Sequence, residues 1–198
     1  MKLLIAVPSG DYLHVLFVKS LAALMKRLDQ DGIEYELAIH EGSLVYIARD
    51  TLACKAINED FTHVLWLDSD MVFNEDLLDD LMFSGEDFVT GIAVGRRAPY
   101  PSCLFSDLDK PERITEYPTN TFQVAGCGFA CVLIHKEILR GVWMTYKTCF
   151  HPTDLLGEDT AFCWRAGQLG FKIWAEPAVR IGHITHYVVY PDNREKLL

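Results

Sequence analysis

Three short apolar runs, "KLLIAV" (2–7), "YELAIH" (35–40) and "THVLWL" (62–67), are separated by two stretches whose apolar residues recur at helical spacing. Between positions 11 and about 30, Leu13, Leu16, Phe17, Leu21, Leu24 and Leu28 follow at three- and four-residue steps until Gly32 stops the pattern. Ser43 is placed to cap a second helix reaching to about position 58, with Leu44, Ile47, Ala48, Leu52 and Ala56 facing inward. A β-α-β-α-β order demands parallel strands joined by crossover helices. The continuous apolar run "KLLIAV" is what a strand covered on both faces shows. In such sheets ligands bind beyond the carboxyl ends of the strands. That rule gathers Pro8 and Ser9, Glu41, and Asp68 with Asp70 along one edge. The chain has 198 residues and is half apolar, enough for one core. The expected class is α/β, a single domain with a Rossmann-like, mixed but mostly parallel sheet flanked by helices.

The rest of the chain adds to this sheet. Asn74 is placed to cap a helix to about position 83, and "DFVTGIAV" (87–94) reads as a fourth strand. The segment 96–117, with several prolines and aspartates, reads as an irregular insertion with short hairpin strands. "GCGFACVLIH" (126–135) is a glycine turn feeding a strand, and a short helix follows to about position 139. "GEDTAFCWRAGQLG" (157–170) is a helix opened by two acids and closed by glycine, "FKIWAEP" (171–177) a last strand, and "RIGHITHYVVY" (180–190) trails behind it. The segment 96–120 and the loop 144–157 are long connections for a compact domain and are expected to carry ligand contacts and a lid.

Charge excludes one class of partner. The formal balance is −10, from 18 basic and 28 acidic residues, and the basic ones form no stripe that could track a phosphate backbone. Nucleic acid is therefore not expected. Pro8, Ser9, Gly10 and Asp11 break the apolar start sooner than a secretion signal allows, and no window approaches the roughly 18 apolar residues of a transmembrane segment. Six cysteines lie in or beside apolar segments, which suits buried thiols in a reducing, cytoplasmic setting. A zinc site from Cys127, Cys131, Cys149 and His151 fits no usual ligand spacing.

Chemistry concentrates in three short stretches. In "LDSD", Asp68 and Asp70 stand at a strand end with one residue between them, where two carboxylates can face one hard cation, manganese or magnesium. Such an ion lets an acidic protein meet an anionic substrate. The plainer reading is a turn-capping pair. Glu158 and Asp159 stand in a first helical turn, where the helix dipole favours ionised acids. "GHITH" supplies His183 and His186, and neutral imidazole can complete a manganese site begun by carboxylates. Gly126 and Gly128 do not follow a strand and open a helix as a dinucleotide fingerprint requires.

Strand-end "LDSD" after an "ARD" helix, the central "GCG" strand, "GEDTAFCWRA" and the late "GH" together resemble the family-2-like glycosyltransferases of GT-A fold, over nearly the whole chain. The resemblance implies a metal-dependent glycosyltransferase moving a sugar from a nucleotide-diphosphate donor to an acceptor hydroxyl. It implies that Asp70 binds the metal directly, Asp68 reaches the ribose, the sugar or the metal through water, and His183 joins the metal. It makes Asp159, with Glu158 beside it, the general base of an inverting reaction. Pro8, Ser9 and Tyr12 would cradle the nucleoside, Arg49 would lie near its base, and Glu41 would replace the family's base-reading aspartate. The chain departs from the family in carrying "ARD" for "ARN", in its short length, and in showing no aromatic-arginine stretch after the "ED" helix. The donor sugar, the nucleotide and the acceptor (saccharide, lipid-linked or protein) are left open, as is inversion against retention. Two other readings use the same residues: a haloacid dehalogenase-like phosphatase with Asp68 as nucleophile, and a non-catalytic sugar-nucleotide-binding module with no use for Asp159 as base.

Overall fold

A computed structural model describes residues 1–42, 44–185, 187–189 and 195–197. Its elements are β1 (Lys2–Ser9), α1 (Val15–Gln30), β2 (Glu34–Glu41), α2 (Val45–Asn58), β3 (His63–Leu67), β4 (Met71–Val72), α3 (Leu77–Met82), β5 (Phe88–Ile92), β6 (Leu104–Asp107), β7 (Glu112–Arg113), β8 (Phe122–Val124), β9 (Gly126–Cys127), β10 (Cys131–His135), α4 (Lys136–Tyr146), α5 (Glu158–Gln168), β11 (Ile173–Arg180), β12 (Gly182–Ile184), β13 (Tyr187–Val189) and β14 (Glu195–Leu197).

The main sheet has seven strands in the order β2-β1-β3-β10-β5-β11-β8. β1 pairs in parallel with β2 and β3, and β5 with β11, while β10 runs against β3 and β5, and β8 against β11. This is the mixed, mostly parallel α/β domain the sequence implies. Strand alternation splits the core into two layers. Leu4, Ala6, Val64, Trp66, Val132 and Ile134 face the layer covered by α2, α4 and α5. Leu3, Ile5, Val7, Leu65, Leu67 and Leu133 face the layer covered by α1 and α3. Leu3 through Val7 are all fully buried, which is why that run shows no polar alternation.

Several boundaries move for local reasons. β1 continues through Pro8 to Ser9, since the ladder to β3 ends at Ala6 and the missing N–H is not needed there. α1 starts at Val15, later than expected, with His14 Nδ1 accepting from Leu16 N. Ser43, the expected cap of α2, lies outside the described residues, as does His186. Asn74 caps nothing with its side chain; α3 begins at Leu77, and Leu77 N donates to the Asn74 carbonyl. α4 runs a further two turns beyond position 139, because Gly141 leaves room for the Phe171 ring, 3.2 Å from where its Cβ would stand. Lys147, in the left-handed region, then ends it.

Two small sheets bring distant segments to the carboxyl edge. In β14-β13-β12-β4, Gly182 pairs with Val72 and His183 with Met71. In β7-β6-β9, Leu104 pairs with Cys127 and Phe105 with Gly126, which folds the insertion onto the "GCG" stretch. No helix among the described residues is long and apolar enough to cross a membrane.

Candidate active site

β3 is followed directly by Asp68, whose amide donates to the Ala130 carbonyl just before β10 (3.2 Å). The chain turns at once, Met71 N donating to the Asp68 carbonyl, so that "DSD" is a turn whose acids face a cleft rather than the core. β12 is zipped to β4, and Ile184 N donates to the Asp70 carbonyl (2.8 Å), which sets His183 beside Asp70 across 113 residues of sequence. The cleft has a volume of about 440 Å³, in the range of small-ligand sites.

On one lip, Asp70 Oδ2 lies 3.3 Å from His183 Nε2 and 3.2 Å from Arg96 Nη1. Burial alone would raise the Asp70 carboxyl, but the hydrogen bond and charge of His183, with the charge of Arg96, outweigh it and hold it below 3.8. His183 Nδ1 is 2.8 Å from the Val94 carbonyl, which can only accept, so Nδ1 carries the proton. The hydrogen bond from Nε2 to Asp70 uses a second ring proton, and a metal ion seated between Nε2 and Asp70 Oδ2 would take that proton's place. A nitrogen and a carboxylate oxygen so oriented, with the imidazole's other nitrogen on a backbone carbonyl, make a donor set suited to manganese. Among the described residues no three His, Cys, Asp or Glu side chains gather as a complete metal cage. Asp68 lies in the same cleft, its Oδ1 accepting from Arg49 Nη2 (2.9 Å).

The opposite lip is the start of α5. Asp159 Oδ2 accepts from Phe129 N (3.2 Å), in the turn between β9 and β10. Its buried Oδ1 has no hydrogen-bond partner and lies 3.3 Å from Arg49 Nε, within ion-pair reach but off hydrogen-bond geometry. Burial raises the Asp159 carboxyl above 3.8, and the Arg49 charge offsets this only in part. Glu158 is raised by burial and by Asp159 next to it.

Arg49 sits beneath both lips. It is 1% exposed, with its guanidinium carbon 5.2 Å from the Phe129 ring, 5.9 Å from Phe150 and 6.0 Å from Trp66. Burial would strip its proton, but Asp68, Asp159 and Glu158 outweigh that and keep it charged. Burial in turn raises Asp68 more than Arg49 lowers it.

Eight of the ten residues singled out in the sequence line this cleft: Pro8, Ser9, Arg49, Asp68 and Asp70 from the first strands and α2, and Glu158, Asp159 and His183 from the later chain. Tyr12 and Glu41 do not. Tyr12 is 88% exposed on the segment that carries the chain out to α1, and Glu41 ends the edge strand β2. Arg49, expected near a nucleotide base, is instead enclosed between two carboxylates. Sequence reasoning missed Arg96. It follows the fourth strand, at the same carboxyl edge, so the strand-end rule that found Asp68 also pointed there. A second cavity, of about 210 Å³, adjoins Asp159 on the far side and is lined by Cys103, Phe105, Arg113 and Thr160. Burial pushes the Cys103 thiol up to about 11, so it stays protonated.

No family model matches the chain, and no curated protein sequence does. Solved structures do match in fold. A197 from STIV superposes with a TM-score of 0.69 at 20% identity, covering 100% of this chain and 94% of that one. GalNAc-T7, crystallised with UDP, GalNAc and Mn2+, gives 0.61 at 12% identity, over 93% of this chain and 44% of that one. The catalytic domain of Drosophila β1,4-galactosyltransferase 7, in complex with xylobiose, gives 0.52 at 14%, over 88% and 64%. The chain thus shares the GT-A fold, while spanning less than two thirds of either glycosyltransferase chain.

Proposed function

We propose that this protein is a metal-dependent glycosyltransferase that moves a sugar from a nucleotide-diphosphate donor to an acceptor hydroxyl. The observation that carries the reading is the pairing of lips in one cleft: Asp70 with His183 on one side, and on the other the Asp159 carboxylate, with Glu158 beside it. The fold likeness supports it, since one neighbour was crystallised with UDP, a sugar and Mn2+.

Asp70 Oδ2 and His183 Nε2 would hold a manganese or magnesium ion, with the Val94 carbonyl fixing the imidazole tautomer. Such an ion supplies positive charge to the departing diphosphate. The Asp159 carboxylate takes the acceptor's proton as the hydroxyl oxygen bonds to the anomeric carbon, and the bonding pair of the old glycosidic link leaves with the diphosphate. Inversion at the sugar follows. The raised Asp159 carboxyl makes it a stronger base than an exposed aspartate, and Phe129 N and Arg49 hold the carboxylate in place. Pro8 and Ser9 form the nucleoside side of the cleft, and the cavity lined by Phe105 and Arg113 the acceptor side.

Calorimetric titration with UDP, GDP, CDP and dTDP, each with and without manganese, tests the donor site. Manganese-dependent binding of one nucleotide, lost in Asp70→Ala, is expected; binding of none by the folded protein would overturn the reading. Asp159→Asn should keep that binding and lose transfer and donor hydrolysis, which separates an enzyme from a binding module.

A further inference from the structure

We infer that Arg96 grips the donor's diphosphate and waits on Asp70 while the cleft is empty; this rests on the donor-site reading above. The cleft needs such a cation. The other guanidinium among the described residues that line it, Arg49, is enclosed and committed to Asp68 and Asp159.

Arg96 has the right mounting. Val94 bridges to Ser102, and Gly95 N donates to the Pro101 carbonyl (2.8 Å), closing the base of a hairpin loop over 95–101. A Cβ on Gly95 would stand 3.3 Å from the Pro101 ring, so the two arms of the loop pack directly on each other. The Val94 carbonyl fixes His183, and two residues on, Arg96 reaches back to the same Asp70 oxygen that His183 faces. Yet the Arg96 side chain is 61% exposed, and an ion pair so open to water contributes little. It is readily exchanged for a diphosphate, whose oxygens match the planar fork better than one carboxylate oxygen does.

The proposal makes a prediction of opposite sign for two ligands. Arg96 competes for Asp70, so Arg96→Ala should bind manganese chloride alone as tightly as the parent protein or more so. The same variant should bind the preferred nucleoside diphosphate, with manganese present, at least about tenfold more weakly. Inorganic pyrophosphate with manganese should show the same loss, Arg96→Lys should recover part of it, and Arg140→Ala, removing an exposed cation on α4, should show none. Calorimetry with circular dichroism on each variant reads all of this. Unchanged diphosphate affinity in a folded Arg96→Ala would overturn the assignment while leaving the donor site standing. So would a loss of manganese binding alone, or a loss seen with the nucleotide but not with pyrophosphate. Absence of nucleotide binding in the parent protein would instead remove the donor-site reading, and this inference with it.

Discussion

Asp50 explains why the chain tolerates "ARD" where the family it resembles carries "ARN". Its Oδ1 accepts from Cys149 N (2.8 Å) and Phe150 N (2.7 Å), and its Oδ2 from the Thr148 hydroxyl (2.6 Å). These bonds fasten the loop after α4 and set Phe150 beneath the Arg49 guanidinium. An asparagine keeps the oxygen that takes both amides, and the threonine hydroxyl can rotate to accept from its NH2. Asp50→Asn should therefore cost within about 1 kcal/mol, whereas Asp50→Ala, which strands three donors, should cost about 3 kcal/mol in urea unfolding. The motif residues were legible one by one because carboxylates that close an apolar strand or open a helix mark the boundary of a periodic pattern. Their partnerships were not. Nothing local in "IARD" says that Arg49 turns under the sheet to join acids 19 and 110 positions away.

At the scale of elements, the strand order was readable up to β3 because helical and strand periodicities alternate cleanly there. Beyond it the chain bends by contacts that a pattern does not encode. β11 is the clearest case: Glu176 pairs with Gly91, but the next pair is Arg180 with Ile92, so Pro177 to Val179 bulge out of register. The bulge folds over β5. A Cβ at Gly91 would stand 2.6 Å from Val179 Cγ1 and 3.3 Å from the Val179 carbonyl. Gly91→Ala should push the bulge away at a cost of about 1–3 kcal/mol, measured by chemical denaturation. At the opposite edge of the sheet, His63 of β3 faces His135 of β10, their rings 4.9 Å apart. Burial first, and the neighbouring His135 second, hold His63 below 6.5. The folded chain then refuses a proton that the unfolded chain accepts, so stability present above about pH 6.5 is lost as the pH falls through and below it. Unfolding midpoints measured across that range should fall more shallowly in His63→Gln.

For the whole molecule, three sheets converge on one cleft: the main sheet supplies Asp68, the β4-β12 pairing brings His183, and the β6-β9 pairing folds the insertion after β5 toward it. A ligand that spans the lips therefore ties together segments from most of the chain. Manganese with the matching nucleoside diphosphate at about one hundred times its Kd should add about 2.7 kcal/mol and raise Tm by roughly 5–10 °C. Asp70→Ala should show no such rise. The single strand running against its neighbours in mid-sheet, β10, sets a division of timescales. The Asp68 amide is locked to Ala130 at the head of that strand, whereas the Phe129 amide, next along the backbone, is held by a helix-borne side chain. In deuterated water the first exchanges only when the centre of the sheet parts, and the second whenever α5 lifts. The floor of the cleft and its α5 wall thus keep separate time, and the passage of any ligand is left to the faster of the two.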